Sequence, residues 1–294
     1  MHKKIVLIAV IAIFIIGAFS TFIFQQTTVK TNNEKPKIAA TIFPLYDITR
    51  NIAGDDIDTV LILPSGASPH TYDPTPNDIR RLQNAKAVYA IGYGVDSWAK
   101  TIADGVSADT VIVADNIALL ADQKNQDAYN PHYWLSINNA EQIAKNIADD
   151  LSQRFPDQAD VFNSNLTKYL TQLQNTQSQL QNILSNLDNN KIITMHDAWN
   201  YFADEYNLEV IGTFEPSAGI EPSPQDIATL NSLVKENNIK VIYSEPQLDV
   251  SGLEAFMKDN QINLSILDPL GGDEEKNSYI NLMLYNAQTI ANNQ

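Results

Sequence analysis

A stretch near the middle of the chain constrains its fold most. Between Asp157 and Asn190 there is no Gly and no Pro, and Phe162, Leu166, Tyr169, Leu173, Thr176, Leu180, Ile183 and Leu187 recur in steps of four and three. That spacing is the apolar stripe of one continuous amphipathic helix, since residues three and four apart share a helical face. At about 1.5 Å per residue, a helix of about 30 residues is about 45 Å long, enough to run the length of a two-lobed protein. Its other face carries Asn and Gln rather than paired charges, so packing against both lobes, not ion pairing, must hold it.

On either side of this helix, short β-branched runs alternate with helical patterns. The candidate strands are Lys37–Phe43, Thr59–Leu63, Ala87–Ile91 and Thr110–Ala114 before it, and Lys191–Met195, Leu208–Thr213, Lys240–Ser244 and Asn263–Leu267 after it. Such alternation predicts an α/β fold: two lobes, each with a mostly parallel four-stranded sheet flanked by helices, joined by one long rigid helix. The length of 294 residues suits one large or two medium domains. The expected division is 1–35 for a leader and tether, 36–155 for the N-terminal lobe, 156–190 for the linking helix and 191–294 for the C-terminal lobe.

The leader is read apart from the fold. Lys3 and Lys4 precede an uncharged run from Ile5 to Phe24, which is about the length a helix needs to span a bilayer and longer than the usual core of a signal peptide. The lysines favour an N-in, C-out orientation, which places the rest of the chain outside the cytoplasmic membrane. Two readings stand: a cleaved signal peptide, and an uncleaved membrane anchor, which the lack of a clear A-x-A site favours. Gln25 to Lys35 is then a polar tether.

Charge narrows the partners. With 35 Asp and Glu against 19 Lys and Arg the formal net charge is −16, which repels a nucleic acid backbone and makes cations the natural ligands. The chain has no cysteine, which removes disulfides, thiolate metal sites and cysteine nucleophiles.

Apart from His2, the histidines are His70, His132 and His196, and all three fall in loops. His70 lies past the strand Thr59–Leu63 and His196 directly follows Lys191–Met195, while His132 sits in Asn-Pro-His-Tyr-Trp-Leu-Ser ahead of a helical pattern. Asp268, in Leu-Asp-Pro-Leu-Gly-Gly, follows the last strand in the same way. In open α/β sheets ligands bind beyond the carboxyl ends of strands. Three imidazole nitrogens and a carboxylate oxygen would complete a tetrahedral Zn²⁺ shell. No local metal motif such as H-E-x-x-H is present, so such a site needs ligands from both lobes. The residues alone leave open the other reading, loop imidazoles bonded to backbone or water. Glu245, ending the strand Lys240–Ser244, is a candidate spare ligand, a partner that orients an imidazole, or a helix cap. Asp47 reads as a helix cap, and Trp98, Trp134 and Trp199 as core or interface filler. Gly92-Tyr93-Gly94 lacks the remaining features of a dinucleotide loop.

Six motifs occur in order: Gly-Ala-Ser-Pro-His with Asp-Pro-Thr-Pro-Asn-Asp-Ile, Leu-Gln-Asn-Ala-Lys-Ala-Val-Tyr-Ala-Ile-Gly-Tyr-Gly, Asn-Pro-His-Tyr-Trp-Leu-Ser, His-Asp-Ala-Trp-Asn-Tyr-Phe, Ser-Glu-Pro-Gln and Leu-Asp-Pro-Leu-Gly-Gly. Together they make the chain, from about Lys37 onward, resemble the zinc/manganese ABC transporter substrate-binding proteins, the ZnuA-like group. The resemblance implies a transition metal bound between two α/β lobes, with His70, His132 and His196 matching the family's histidine ligands and Asp268 its carboxylate ligand. It implies a protein that is not an enzyme, that lies in the periplasm or on the outer face of the cytoplasmic membrane, and that delivers Zn²⁺ to an ABC transporter permease, as a monomer. Manganese-selective relatives tend to place a carboxylate at the position of His196, so Mn²⁺ is the alternative ion. The chain departs from the family in having no lipid-bearing cysteine and no histidine between Asp115 and Asn130, where many zinc members carry a His-rich loop. From other classes, a zinc hydrolase with Glu245 as its base and a metal-binding adhesin remain alternatives.

Overall fold

The computed structural model describes residues 35–122, 127–215 and 220–294, and the predicted hydrophobic leader lies outside them. Among the described residues no helix is long and apolar enough to cross a membrane. The first lobe is built on β1 (Lys37–Ala40), β2 (Asp58–Leu61), β3 (Ala85–Ala90) and β4 (Asp109–Ile112), in the order β2-β1-β3-β4. The second repeats that order as β6-β5-β7-β8, with β5 (Lys191–Thr194), β6 (Glu209–Thr213), β7 (Val241–Ser244) and β8 (Asn263–Ile266). Every pairing within these sheets is parallel.

The helices are α1 (Phe43–Ala53), α2 (Pro76–Arg81), α3 (Ala99–Val106), α4 (Ile137–Arg154), α5 (Ala159–Leu184), α6 (Asn200–Glu205), α7 (Pro224–Glu236), α8 (Leu253–Asn260) and α9 (Tyr279–Ala291). Phe43, placed by its β-branched neighbours at the end of the first strand, instead opens α1. Pro44 explains the difference, because proline in a first helical turn gives up only an N–H that has no intrahelical partner.

Alternation along the strands explains the layering. In β1, Ile38 and Ala40 face one cluster while Ala39 faces another, and in β3 Ala87 and Tyr89 part from Val88 and Ala90 in the same way. In β5 and β7, Ile192 and Tyr243 join the cluster of Ile38, whereas Ile193 and Ile242 pack into a core of their own. One face of each sheet therefore contributes to a single shared core, and the other is covered by helices of its own lobe. Residues 36–294 form one compact unit.

The long helix runs through this shared core. Phe162, Tyr169, Leu173, Thr176, Leu180 and Leu184 are buried on one side of α5, which packs against α1, α4 and α9. It starts at Ala159, after a 3-10 turn over Pro156–Gln158, and ends at Leu184, inside the expected 156–190 at both ends. The sequence Ser-Asn-Leu-Asp-Asn-Asn ends it, because these short polar side chains bond the backbone locally: Ser185 Oγ donates to Asn182 O, and Asn189 Oδ1 accepts Lys191 N–H.

Buried polar ties cross between the lobes. Trp134 Nε1 donates to Pro269 O at 2.8 Å, and Tyr279 Oη to Trp134 O at 2.7 Å. Asp47 sits inside α1 and caps a different helix: its Oδ2 accepts the N–H of Tyr279, the first residue of α9, at 2.9 Å. Burial pushes its carboxyl pKa up, against the pull of this N–H and of Arg50.

Candidate metal centre

In both sheets the strand order reverses between the first and third strands, β1/β3 and β5/β7, and the crevice beyond such a reversal is where open α/β sheets bind ligands. In the first lobe Asp96 fills that position. Buried, it accepts from Thr41 Oγ1 at 2.6 Å and from the N–H groups of Ile91 and Gly92 at 2.8 Å each. In the second lobe His196 lies just beyond β5 and Glu245 directly beyond β7, both buried.

Each histidine is set by its local chain. His70 sits in the loop between β2 and α2. That loop is pinned where Trp98 Nε1 donates to Pro69 O at 2.9 Å, and closed by the capping box of Thr75 and Asp78. For His132, Asn-Pro-His makes an Asx turn, in which Asn130 Oδ1 accepts the His132 N–H at 3.0 Å and also lies 2.9 Å from His132 Nδ1. Asn130 Nδ2 donates to Asp197 O at 2.7 Å, which fixes the amide so that its oxygen faces the imidazole. His132 Nδ1 is therefore the protonated nitrogen, and Nε2 carries the free lone pair. For His196, Nδ1 stands 2.8 Å from Glu245 Oε1, close but off the ring N–H axis, and Trp199 Nε1 donates to the same oxygen at 3.2 Å. A carboxylate beside Nδ1 again leaves Nε2 as the free donor.

The result is a convergence of three Nε2 atoms. His70 Nε2 is 3.2 Å from His132 Nε2, which is 3.4 Å from His196 Nε2, and one nitrogen from each ring falls within a 4.8 Å group. Lone pairs facing each other repel unless a proton or a cation lies between them. Tetrahedral donors about 2.05 Å from a zinc ion would be about 3.3 Å apart, so the spacing fits one such ion. The cavity that these rings line is about 20 Å³, room for one ion or water. A cleft of about 570 Å³, which shares Ser68, Gln247 and Leu248 with it, opens beside it.

Burial tunes the protons. Desolvation and the neighbouring His196 push His70 down to about 4, although the residue's exposure to solvent works against that shift. His132 is held well below the usual histidine value by burial and by the other two rings. For His196 burial alone would lower the pKa, but the Glu245 carboxylate reverses it and the net shift is upward.

The fourth residue singled out in the sequence, Asp268, is buried and lies outside that three-nitrogen group. Its Oδ1 accepts the N–H groups of Leu270 and Gly271 at 2.9 and 3.0 Å, and its Oδ2 is 3.5 Å from Lys276 Nζ. Buried Asn286 on α9 clamps its backbone, accepting its N–H at 2.8 Å and donating to its carbonyl at 2.7 Å. Sequence reasoning passed over Asn130 and Asn286. The spacing Asn-Pro-His held the signal for the first, whereas the second meets Asp268 only through tertiary structure. The tryptophans pack in or against the core, and their indole N–H groups also hold the surroundings of the site, Trp98 and Trp134 on the carbonyls of Pro69 and Pro269 and Trp199 on the Glu245 carboxylate.

Two parallel-sheet lobes sharing one core define a two-lobed α/β protein, and the three imidazoles that converge between the lobes are close enough to hold a cation. The chain belongs to the family described as zinc-uptake complex component A, periplasmic, whose model matches residues 38–293. Among curated relatives, it is 27% identical to the zinc-binding protein AdcA of Streptococcus pyogenes serotype M1, over 99% of this chain and 61% of that protein. It is also 27% identical to the manganese ABC transporter substrate-binding lipoprotein PsaA of Streptococcus pneumoniae, over 98% of each. Among solved structures, a crystal structure of ZnuA superposes with a TM-score of 0.80 at 31% identity, over 88% of this chain and 99% of that one. The chain thus spans about three-fifths of the AdcA protein it matches, 61%.

Proposed function

We propose that this protein is an extracytoplasmic substrate-binding component that captures Zn²⁺ between its lobes and delivers it to an ABC transporter permease. The observation that carries this reading is the convergence of three Nε2 donors, at 3.2 and 3.4 Å, on a cavity of about 20 Å³. His70, His132 and His196 are the proposed ligands, and Asp268, held one loop away, the fourth. A set of three nitrogens and one oxygen favours zinc over the harder manganese, which prefers oxygen. The ligands come from both lobes, His70 and His132 from the first and His196 and Asp268 from the second.

A carrier fits better than a hydrolase. The cavity lined by the three rings is the size of one ion rather than of an organic substrate. Glu245, the base such an enzyme would need, is engaged by His196 Nδ1 and Trp199 Nε1. Family membership and the relatives named above support delivery to a permease.

Metal analysis of the chain purified without added metal tests the reading. About one equivalent of zinc is expected, and in competition zinc should displace manganese. One equivalent of manganese that zinc cannot displace would redirect the assignment to the manganese branch, and no bound metal at micromolar zinc would remove it.

A further inference from the structure

The segment after Asp268 is folded back on itself in a way the metal site alone does not require. Gly271 and Gly272 both take positive φ, 70° and 93°, and this lets the chain reverse so that Gly272 N–H donates to Lys276 O at 2.9 Å. A Cβ on Gly271 would approach Lys276 O at 3.1 Å, so the reversal is closed as well as tight. Asp273 completes it: its Oδ1 accepts the N–H groups of Glu275 and Lys276 at 3.2 and 2.9 Å. The consequence is a buried lysine. Lys276 is 7% exposed, with its Nζ 2.5 Å from Asp273 Oδ2, 3.5 Å from Asp268 Oδ2 and 4.6 Å from the centroid of the Tyr285 ring.

Lysines are seldom buried without a purpose for the charge. Of the two carboxylates beside this one, Asp273 is half exposed and would be well solvated by itself, whereas Asp268 is buried. Asp268 spends Oδ1 on two backbone N–H groups and, at 3.5 Å, the Gln247 amide, and Oδ2 is the oxygen left to face a cation. A metal ion bound to that carboxylate would stand within about 6 Å of the ammonium, and like charges repel strongly where water is scarce.

We propose that Lys276 is the counter-ion of Asp268 while no metal is bound and that, once the ion is in place, its charge limits how tightly the site holds it. The inference rests on the proposed metal site and deepens it by assigning a residue to release. The lobes share a core and are tied by buried hydrogen bonds, which leaves little room for wide opening. A fixed repulsive charge beside the fourth ligand gives the ion a way out without separating them. Lys276 touches no reacting atom, so it is a positioning residue.

The test is zinc affinity by chelator competition, and zinc dissociation into excess chelator, on the full chain and three variants. Lys276→Met should bind zinc at least about tenfold more tightly and release it correspondingly more slowly, while Lys276→Arg stays close to wild type. Asp273→Asn, which frees the ammonium to lean on Asp268, should shift affinity the opposite way, by at least about threefold. A purely structural lysine would give weaker binding when removed, so the sign decides. Equal or weaker binding in Lys276→Met, with a wild-type melting curve, would overturn the proposal. If that variant does not fold, Asp273→Asn decides alone, and unchanged or tighter binding in it would overturn the proposal. Failure of the wild-type chain to bind zinc at all would instead fall on the site assignment, so the two failures are separable.

Discussion

At the residue scale, the site depends on which nitrogen of each imidazole is free. Asn130 and Glu245 decide this for His132 and His196 by occupying the Nδ1 side. Replacing such a partner typically weakens metal binding by about ten- to hundredfold. Asn130→Ala is accordingly expected to lose about tenfold in zinc affinity by competition titration, and wild-type affinity would show that the Asx turn does not orient the ring. Protons follow from the same contacts. His70 and His132 are depressed, so they are neutral and ready for metal across the neutral range, and their protons compete only well below it. The pKa of His196 is raised, so as pH falls through that value a proton increasingly occupies the nitrogen the metal needs. Log affinity against pH should therefore have a slope near one below the raised His196 value and steepen only toward the His70 value of about 4. A slope near three already at about pH 6 would mean that the three rings titrate as ordinary histidines and that the environment derived for them is wrong. That these three histidines share one site could be proposed from the sequence, because each follows a strand or a turn residue. The unequal proton affinities could not, since they depend on burial and on Glu245 arriving from another strand.

At the element scale, α5 holds the lobes together through one apolar face. Leu173 is fully buried in the shared core, and truncating such a leucine to alanine typically costs about 2–5 kcal/mol through lost burial and a residual cavity. Leu173→Ala should lower the melting temperature of the whole compact unit, read by calorimetry as one transition moving down. Two separate transitions in that variant would mean that the lobes fold independently. The stripe from Phe162 to Leu187 made this helix readable in advance, but its C-terminal end was overrun. Leu187 packs against the core from beyond the helix, so apolar periodicity continues past the point where Ser185 and the asparagines turn the backbone away. Strand positions were readable from β-branched runs. The reversal that places β1 between β2 and β3 was not, because order within a sheet is set by how helices cover both faces.

At the scale of the whole molecule, two sheets and the long helix form one compact unit, so a metal ion held between the lobes would stabilise all of it. A ligand that binds only the folded chain stabilises it by about 4 kcal/mol at a thousandfold excess over Kd. With donors from both lobes, zinc should raise a single melting transition, and a shift confined to one of two transitions would place the ion within one lobe. The acidic balance of the chain and its three loop histidines pointed to a cation from the start, and the resemblance named its class. Bringing His70, His132 and His196 within 4.8 Å, from positions far apart in sequence, is the work of the shared core. The most direct test of this claim is X-ray absorption at the zinc edge of the zinc-loaded chain. The predicted spectrum has about three imidazole nitrogens at about 2.0 Å and one oxygen, losing one imidazole in each of His70→Ala, His132→Ala and His196→Ala; a wild-type spectrum with one imidazole or none, the rest oxygen, would contradict it.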